Sequence, residues 1–266
     1  MYVLLRNLFK SETLYIEILE SYINIRVIDK RDVIKTYINI QLPEGIIENG
    51  KVKNSSYIEK AITEHMSTVK EKYNKAVLVV DVYAIMRFAD FPNLENKKLI
   101  SAVQYSFAEH FPVDLSLYTT DYRKIYQTED KSRILLLSIE KDIVYSYLSI
   151  FENINIRLDV IDAYSNFISL YLGEYDKGNI VVGILRGNNI IIQFIENGEL
   201  NHIQESSYTD LDFLFRGVDI ERAYLPEGTK EEMINFLSSQ NIEVICMKYL
   251  VPIGEQSVLK TRDFWE

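Results

Sequence analysis

The sequence predicts an α/β protein assembled from two repeated halves, and three observations predict it. Short apolar runs come in threes at two places in the chain, strand-type and helix-type patterns alternate after the first trio, and the trios lie about 165 residues apart, beyond any solenoid period. The first trio is LYIEIL, YINIRVID and VIKTYINIQL, from Leu14 to Leu42, parted by ES and DKRD. The second, from Asn179 to Gln204, begins NIVVGILRGNNIIIQFIENGEL, with RGNN and ENG as its turns. Each has the pattern of an antiparallel meander.

Between them, NSSYIEKAITEHMSTVKEKY reads as a helix capped by Ser55 or Ser56, with Ile58, Ile62, His65, Met66 and Val69 near helical spacing. KAVLVVDV is a strand of the buried type. Pro92 precedes a helix whose stripe includes Leu99, Val103 and Phe107, and Pro112 ends it. ILLLSI, KDIVYSYLSIFENI, IRLDVID and AYSNFISLYL then alternate strand and helix up to GEYDKG, where the domain boundary is expected. This gives a leader over 1–13, a first half over 14–175 with an inserted subdomain at about 75–151, and a shortened second half over 176–266.

With 266 residues, 47% of them hydrophobic, the chain has a sizeable core to bury. The 29 Lys and Arg against 39 Asp and Glu, a net charge of -10, argue against a nucleic-acid surface, which needs clustered cations. The single Cys246 forms no internal disulfide, and the apolar runs stop short of the roughly 18 residues that cross a bilayer. A cytoplasmic protein is expected, reaching the inner face of the cell membrane only through partners and without transmembrane insertion.

The stretch QLPEGIIENGKV carries a Leu-Pro-x-Gly-x-Ile-x-x-Gly pattern after the first meander, and ADFPNLENKKLISAVQYSFAEHFPVDL, TTDY and RLDVIDAYSNFI follow in order. This ordered set resembles the PilM family, actin-like proteins of type IV pilus assembly, over roughly residues 8 to 205. The resemblance implies an actin-like (ribonuclease H-like) duplicated fold with an inserted small subdomain and a reduced second half. It also implies a partner, the cytoplasmic N-terminal peptide of a PilN-like inner-membrane protein, with the pilus motor ATPases as further contacts.

Where that family has Asp-x-Gly-Ser-Ser-x-x-Lys around phosphate, this chain has EILESYIN: Glu17 keeps the carboxylate, while Leu19, Glu20 and Asn24 replace glycine, serine and lysine. In the second half GILRGNN puts Gly183 where the family's magnesium-placing aspartate stands and Leu185 where it has glycine. Of the family's glycine turn under the adenosine only Gly228 remains, in YLPEGT, and the connection from Glu205 to RAYL is too short for a base-enclosing subdomain. The resemblance therefore implies no catalytic residue, no cofactor and no metal, in a scaffold that no longer hydrolyses ATP. Alternatives are a divergent ATPase using Glu17 or Asp162, an actin-like component of a type II secretion platform, and an interaction module outside pilus biology.

Glu17 is expected to be a solvated strand residue, Cys246 to lie in the core, and DYRK to be a solvated face. His65, His110 and His202 show no metal-ligand spacing. RGNN and ENG read as ordinary hairpin turns. The aromatic run Tyr83, Phe88, Phe91, Phe107, Phe111, Tyr118 and Tyr122 reads first as subdomain core. A peptide groove would use Phe111 with Pro112 as one wall, and Phe88 and Tyr122 beside them.

Overall fold

A computed structural model describes residues 12–29, 34–69, 72–94, 96–110, 114–186, 189–207, 211–226 and 228–247. The chain divides between Tyr164 and Ser165 into two compact units.

The first unit is built on the expected meander. Strands β1 (Thr13–Ile18), β2 (Tyr22–Ile28) and β3 (Ile34–Gln41) pair antiparallel. Their alternating isoleucines suit a pleated strand, and Ile16, Ile18, Ile23 and Ile25 are buried on one face while the other face of β1 and β2 is covered as well. β6 (Lys75–Val80) adds parallel to β1 and β10 (Arg157–Ala163) adds parallel to β6, giving the order β10-β6-β1-β2-β3. β6 has five consecutive buried residues, from Ala76 to Val80, so both of its faces are covered, which is why KAVLVVDV does not alternate.

Between β3 and β6 lie a small hairpin, β4 (Ile47–Glu48) with β5 (Lys51–Val52), and helix α1 (Ser55–Met66). The cap of α1 is Asn54, whose side chain accepts the Tyr57 N–H at 3.0 Å. Ser55 and Ser56, the expected caps, already sit inside the first turn, and Val69 lies beyond the last one. Ile58, Ala61 and Ile62 form the buried stripe of α1.

The inserted subdomain is narrower than the sequence suggests. Strands β7 (Ile85–Pro92), β8 (Tyr118–Gln127) and β9 (Lys131–Glu140) form a separate sheet ordered β7-β9-β8, and helix α2 (Asn96–His110) packs on it through Leu99, Val103 and Phe107. Phe91 and Phe107 belong to this core, while Tyr118 and Tyr122 lie half-buried against it. β6 belongs to the main sheet instead, and helix α3 (Lys141–Asn153) packs on α1, with Ile143, Tyr147, Ile150 and Phe151 as its buried residues.

The second unit repeats the first. β11 (Ile180–Arg186), β12 (Asn189–Glu196) and β13 (Glu199–Ser207) form the antiparallel meander, β14 (Arg222–Pro226) adds parallel to β11, and β15 (Glu243–Met247) adds parallel to β14. Read from its parallel edge the order is β15-β14-β11-β12-β13, the same arrangement as the first sheet. Helix α4 (Tyr164–Tyr175) lies with this unit from Ser165 onward, although the sequence placed it with the first half. Two contacts explain why: Gln193 Nε2 donates to the Ser165 carbonyl at 2.7 Å, and Gly173 lies so close to Gly198 that a Cβ on either would strike the other's carbonyl. Asn197 (φ 53) and Gly198 (φ 82) supply the two positive φ values of a tight Asn-Gly hairpin turn, as ENG predicts.

Between β13 and β14 stands a short helix, α5 (Leu211–Leu214), and α6 (Glu231–Ser239) connects β14 to β15. Met233 and Leu237 of α6 complete a core with Val181, Ile192 and Leu225. Cys246, expected in this core, is exposed on β15, where Met247 takes the buried place at the strand end.

Candidate functional site

The residues flagged as remnants of phosphate chemistry fall in both units. In the first, strand register sets the row: Glu17 on β1 pairs with Asn24 on β2, which pairs with Asn39 on β3. One step back along the strands, Tyr15 pairs with Arg26 and Arg26 with Tyr37. The two-residue side-chain period puts all six on one face of the sheet.

Glu17 is not solvated; it is 4% exposed, beside Asn24 at 0% and Arg26 at 2%. The reason is local: Arg26 Nη2 lies 3.2 Å from Glu17 Oε2, and Asn24 Nδ2 donates to the same oxygen at 2.7 Å. A charged carboxylate tolerates this depth only with such compensation. Asn24 in turn accepts from Tyr37 at 3.1 Å and from Asn39 at 2.7 Å, so the row is bonded across three strands. The Tyr37 ring carries the Arg26 guanidinium at 5.5 Å. Burial pushes the Glu17 carboxyl above its ordinary value, with the Arg26 charge and the Asn24 and Arg26 hydrogen bonds pulling the other way. Burial, and then the Glu17 charge, push the Tyr164 phenol well up.

Leu19 and Glu20, in the β1–β2 turn, do not join this row. Glu20 is exposed and accepts the Asn49 backbone N–H from the β4–β5 hairpin, and Leu19 is half-buried. Asp162, the alternative acid, is 2% exposed on β10, paired with Val79, and the Val79 position separates it from Glu17.

In the second unit, Gly183 is buried, and a Cβ there would lie 2.8 Å from Leu225 Cδ2 and 2.9 Å from Ile190 Cδ1. No carboxylate fits without displacing that core. Leu185 is half-buried against the same cluster, and its Cδ1 stands 3.6 Å from where a Cβ on Gly228 (φ +89) would be. In the first unit the Glu17 carboxylate lies against Arg26, and in the second the Gly183 position is lined by leucine and isoleucine. Among the described residues, no group of three or more His, Cys, Asp or Glu is placed to hold a metal ion.

The groove residues separate. Phe88 pairs with Leu135, and Tyr122 with Leu136, so they sit on opposite faces of the three-stranded sheet. Tyr122 leans into the subdomain core, whereas Phe88 is half-buried with the Arg133 guanidinium 4.7 Å over its ring. Phe111 and Pro112 lie outside the described residues, as do Gly187 and Asn188 of the RGNN turn. Arg123 of DYRK is 4% exposed, a correction to its reading as a solvated cation: it shares the face of Leu135, whose neighbours bury it. His65 bonds its own helix, at Ala61 O, and His202 on β13 lies beside Gln204 and Phe194. Sequence reasoning missed Arg26. The signal was available, since β2 alternates Ile23, Ile25 and Val27 with Asn24 and Arg26, and two polar residues there face the strand carrying Glu17.

Two five-stranded sheets of the same order, each a meander extended by parallel strands, with a small subdomain inserted in the first, define the fold of the actin-like ATPases. The chain is similar, at 12% identity and a TM-score of 0.75, to a structure of the PilM-PilN type IV pilus biogenesis complex, over 92% of this chain and 90% of that one. It is also similar to a protein of unknown function with an actin-like ATPase fold from Bacteroides thetaiotaomicron (12% identity, TM-score 0.54, 96% and 97% of the chains). A third likeness is to the cytoplasmic domain of EpsL, an inner membrane component of the type II secretion system of Vibrio cholerae (10% identity, TM-score 0.53, 96% of each chain). No protein-family model and no curated protein matches the sequence. No helix among the described residues is long and apolar enough to cross a membrane.

Proposed function

We propose that this chain is a non-enzymatic scaffold of a type IV pilus machine, an actin-like protein that binds the cytoplasmic N-terminal peptide of a PilN-like inner-membrane protein. It works at the inner face of the cell membrane through that partner, with the assembly motor ATPases as a further contact. The observation that carries this reading is the likeness in fold to a chain of the PilM-PilN complex over 92% of this chain and 90% of that one. The packed position of Gly183 and the internal pairing of Glu17 support the absence of ATP chemistry.

For the peptide, Phe88 is the better candidate of the two, because it is half-buried beside Arg133 while Tyr122 is committed to the opposite, core-facing side. An apolar peptide anchored there gains an aromatic contact beside a cation. Titration of a PilN-like N-terminal peptide against wild type, Phe88→Ala and Tyr122→Phe tests this. Loss of about 2 kcal/mol of binding in Phe88→Ala alone is expected for an anchor residue. Equal binding by all three removes Phe88, and no binding by the wild type contradicts the partner.

A second reading, an actin-like component of a type II secretion platform, is favoured by the likeness to the EpsL domain. Capture of a secretion-platform membrane protein, in place of a pilus one, would select it.

A further inference from the structure

We propose that Arg26 is a resident cation: the buried row around Glu17 is a cation site that the chain fills with its own guanidinium. The inference deepens the non-enzymatic part of the proposed function and is independent of the partner. A carboxylate 4% exposed needs a counter-charge, and the one that pairs with it among the described residues is Arg26, from the neighbouring strand. The contact is single-armed. One guanidinium nitrogen reaches Glu17 Oε2 at 3.2 Å, and Nε, also buried, has no hydrogen-bond partner. Arginine–carboxylate pairs are frequently bidentate, with two parallel bonds. Here the guanidinium is held mainly as a charge, between the carboxylate and the Tyr37 ring at 5.5 Å, and Asn24, locked by Asn39 and Tyr37, keeps the carboxylate aimed at it.

Truncating Arg26 should therefore leave a cation-shaped gap rather than an inert one. The experiment compares melting of wild type, Arg26→Ala and Glu17→Gln/Arg26→Ala with millimolar methylguanidinium or magnesium chloride, against sodium chloride at matched ionic strength. The expected result is a saturable rise of about 3 °C or more in Arg26→Ala with at least one of the two cations, and none in the wild type or the double variant. A single variant that folds only when such a cation is added is the same result in stronger form. No response of Arg26→Ala to either cation, or an equal response in the double variant, overturns the proposal. Magnesium-ATP on the wild type is a separate arm. A saturable shift there contradicts the non-enzymatic role, while the resident-cation inference is decided by the two variants.

Discussion

Glu17 carries the sharpest consequences at the scale of single residues. Its folded-state pKa is raised above 4.5, so the folded chain holds that proton more tightly than the unfolded chain does. The stability linked to it is complete below pH 4.5 and declines as pH rises through the folded value. Arg26→Met removes the largest influence holding that value down, which extends the loss to higher pH. Urea unfolding of Arg26→Met at pH 5, 6.5 and 8 should therefore show stability falling relative to wild type, by up to about 1.4 kcal/mol per pH unit, and Glu17→Gln added to it should flatten the curve. An Arg26→Met profile parallel to wild type would show that the carboxylate is compensated by something else. Gly183→Asp, which puts in the residue type that the family resemblance implies there, should cost about 3 kcal/mol or more, because the carboxylate enters a core of Leu225 and Ile190. A stable Gly183→Asp protein that gains magnesium-ATP binding would mean that the site is merely vacated and not packed shut.

Among the elements, helix α4 gives the test in which two effects oppose. Gly173 lies inside that helix, where alanine is better by about 1 kcal/mol on propensity alone. The methyl would strike the Gly198 backbone carbonyl, so Gly173→Ala should lower the melting temperature in spite of the propensity gain. A raised melting temperature would show that the helix and the β12–β13 turn separate easily. On β15, exposed Cys246 should react with a thiol reagent in native buffer, at the rate of a free thiol and with no denaturant. The strands were legible because their isoleucine alternation has a period of two. The cap of α1 was not, since Asn54, Ser55 and Ser56 are all capping types in a row and only backbone geometry chooses among them. Cys246 and Glu17 were both misjudged because residue type sets only average burial: β1 is covered on both faces, which buries Glu17, while β15 leaves the Cys246 position open.

For the whole molecule, the duplicated fold was readable because each half spells out its meander and its parallel additions in order. The position of the division was not, since α4 follows the first half in sequence and is held by Gln193 and Gly198 of the second. The candidate site was legible as a list of departures from the family's pattern at 19, 20, 24, 183 and 185, with the carboxylate kept at Glu17. What the losses were replaced with, an arginine from the next strand and a leucine-isoleucine core, depends on contacts between strands that no linear motif records. The central claim is that an actin-like body is kept for binding a membrane protein's peptide while its nucleotide machinery is packed shut. The most direct measurement is calorimetric titration of a PilN-like N-terminal peptide into the wild-type chain, with and without magnesium-ATP. The account predicts saturable binding with the same affinity in both; binding that requires the nucleotide, or that it changes tenfold or about 1.4 kcal/mol, would contradict it.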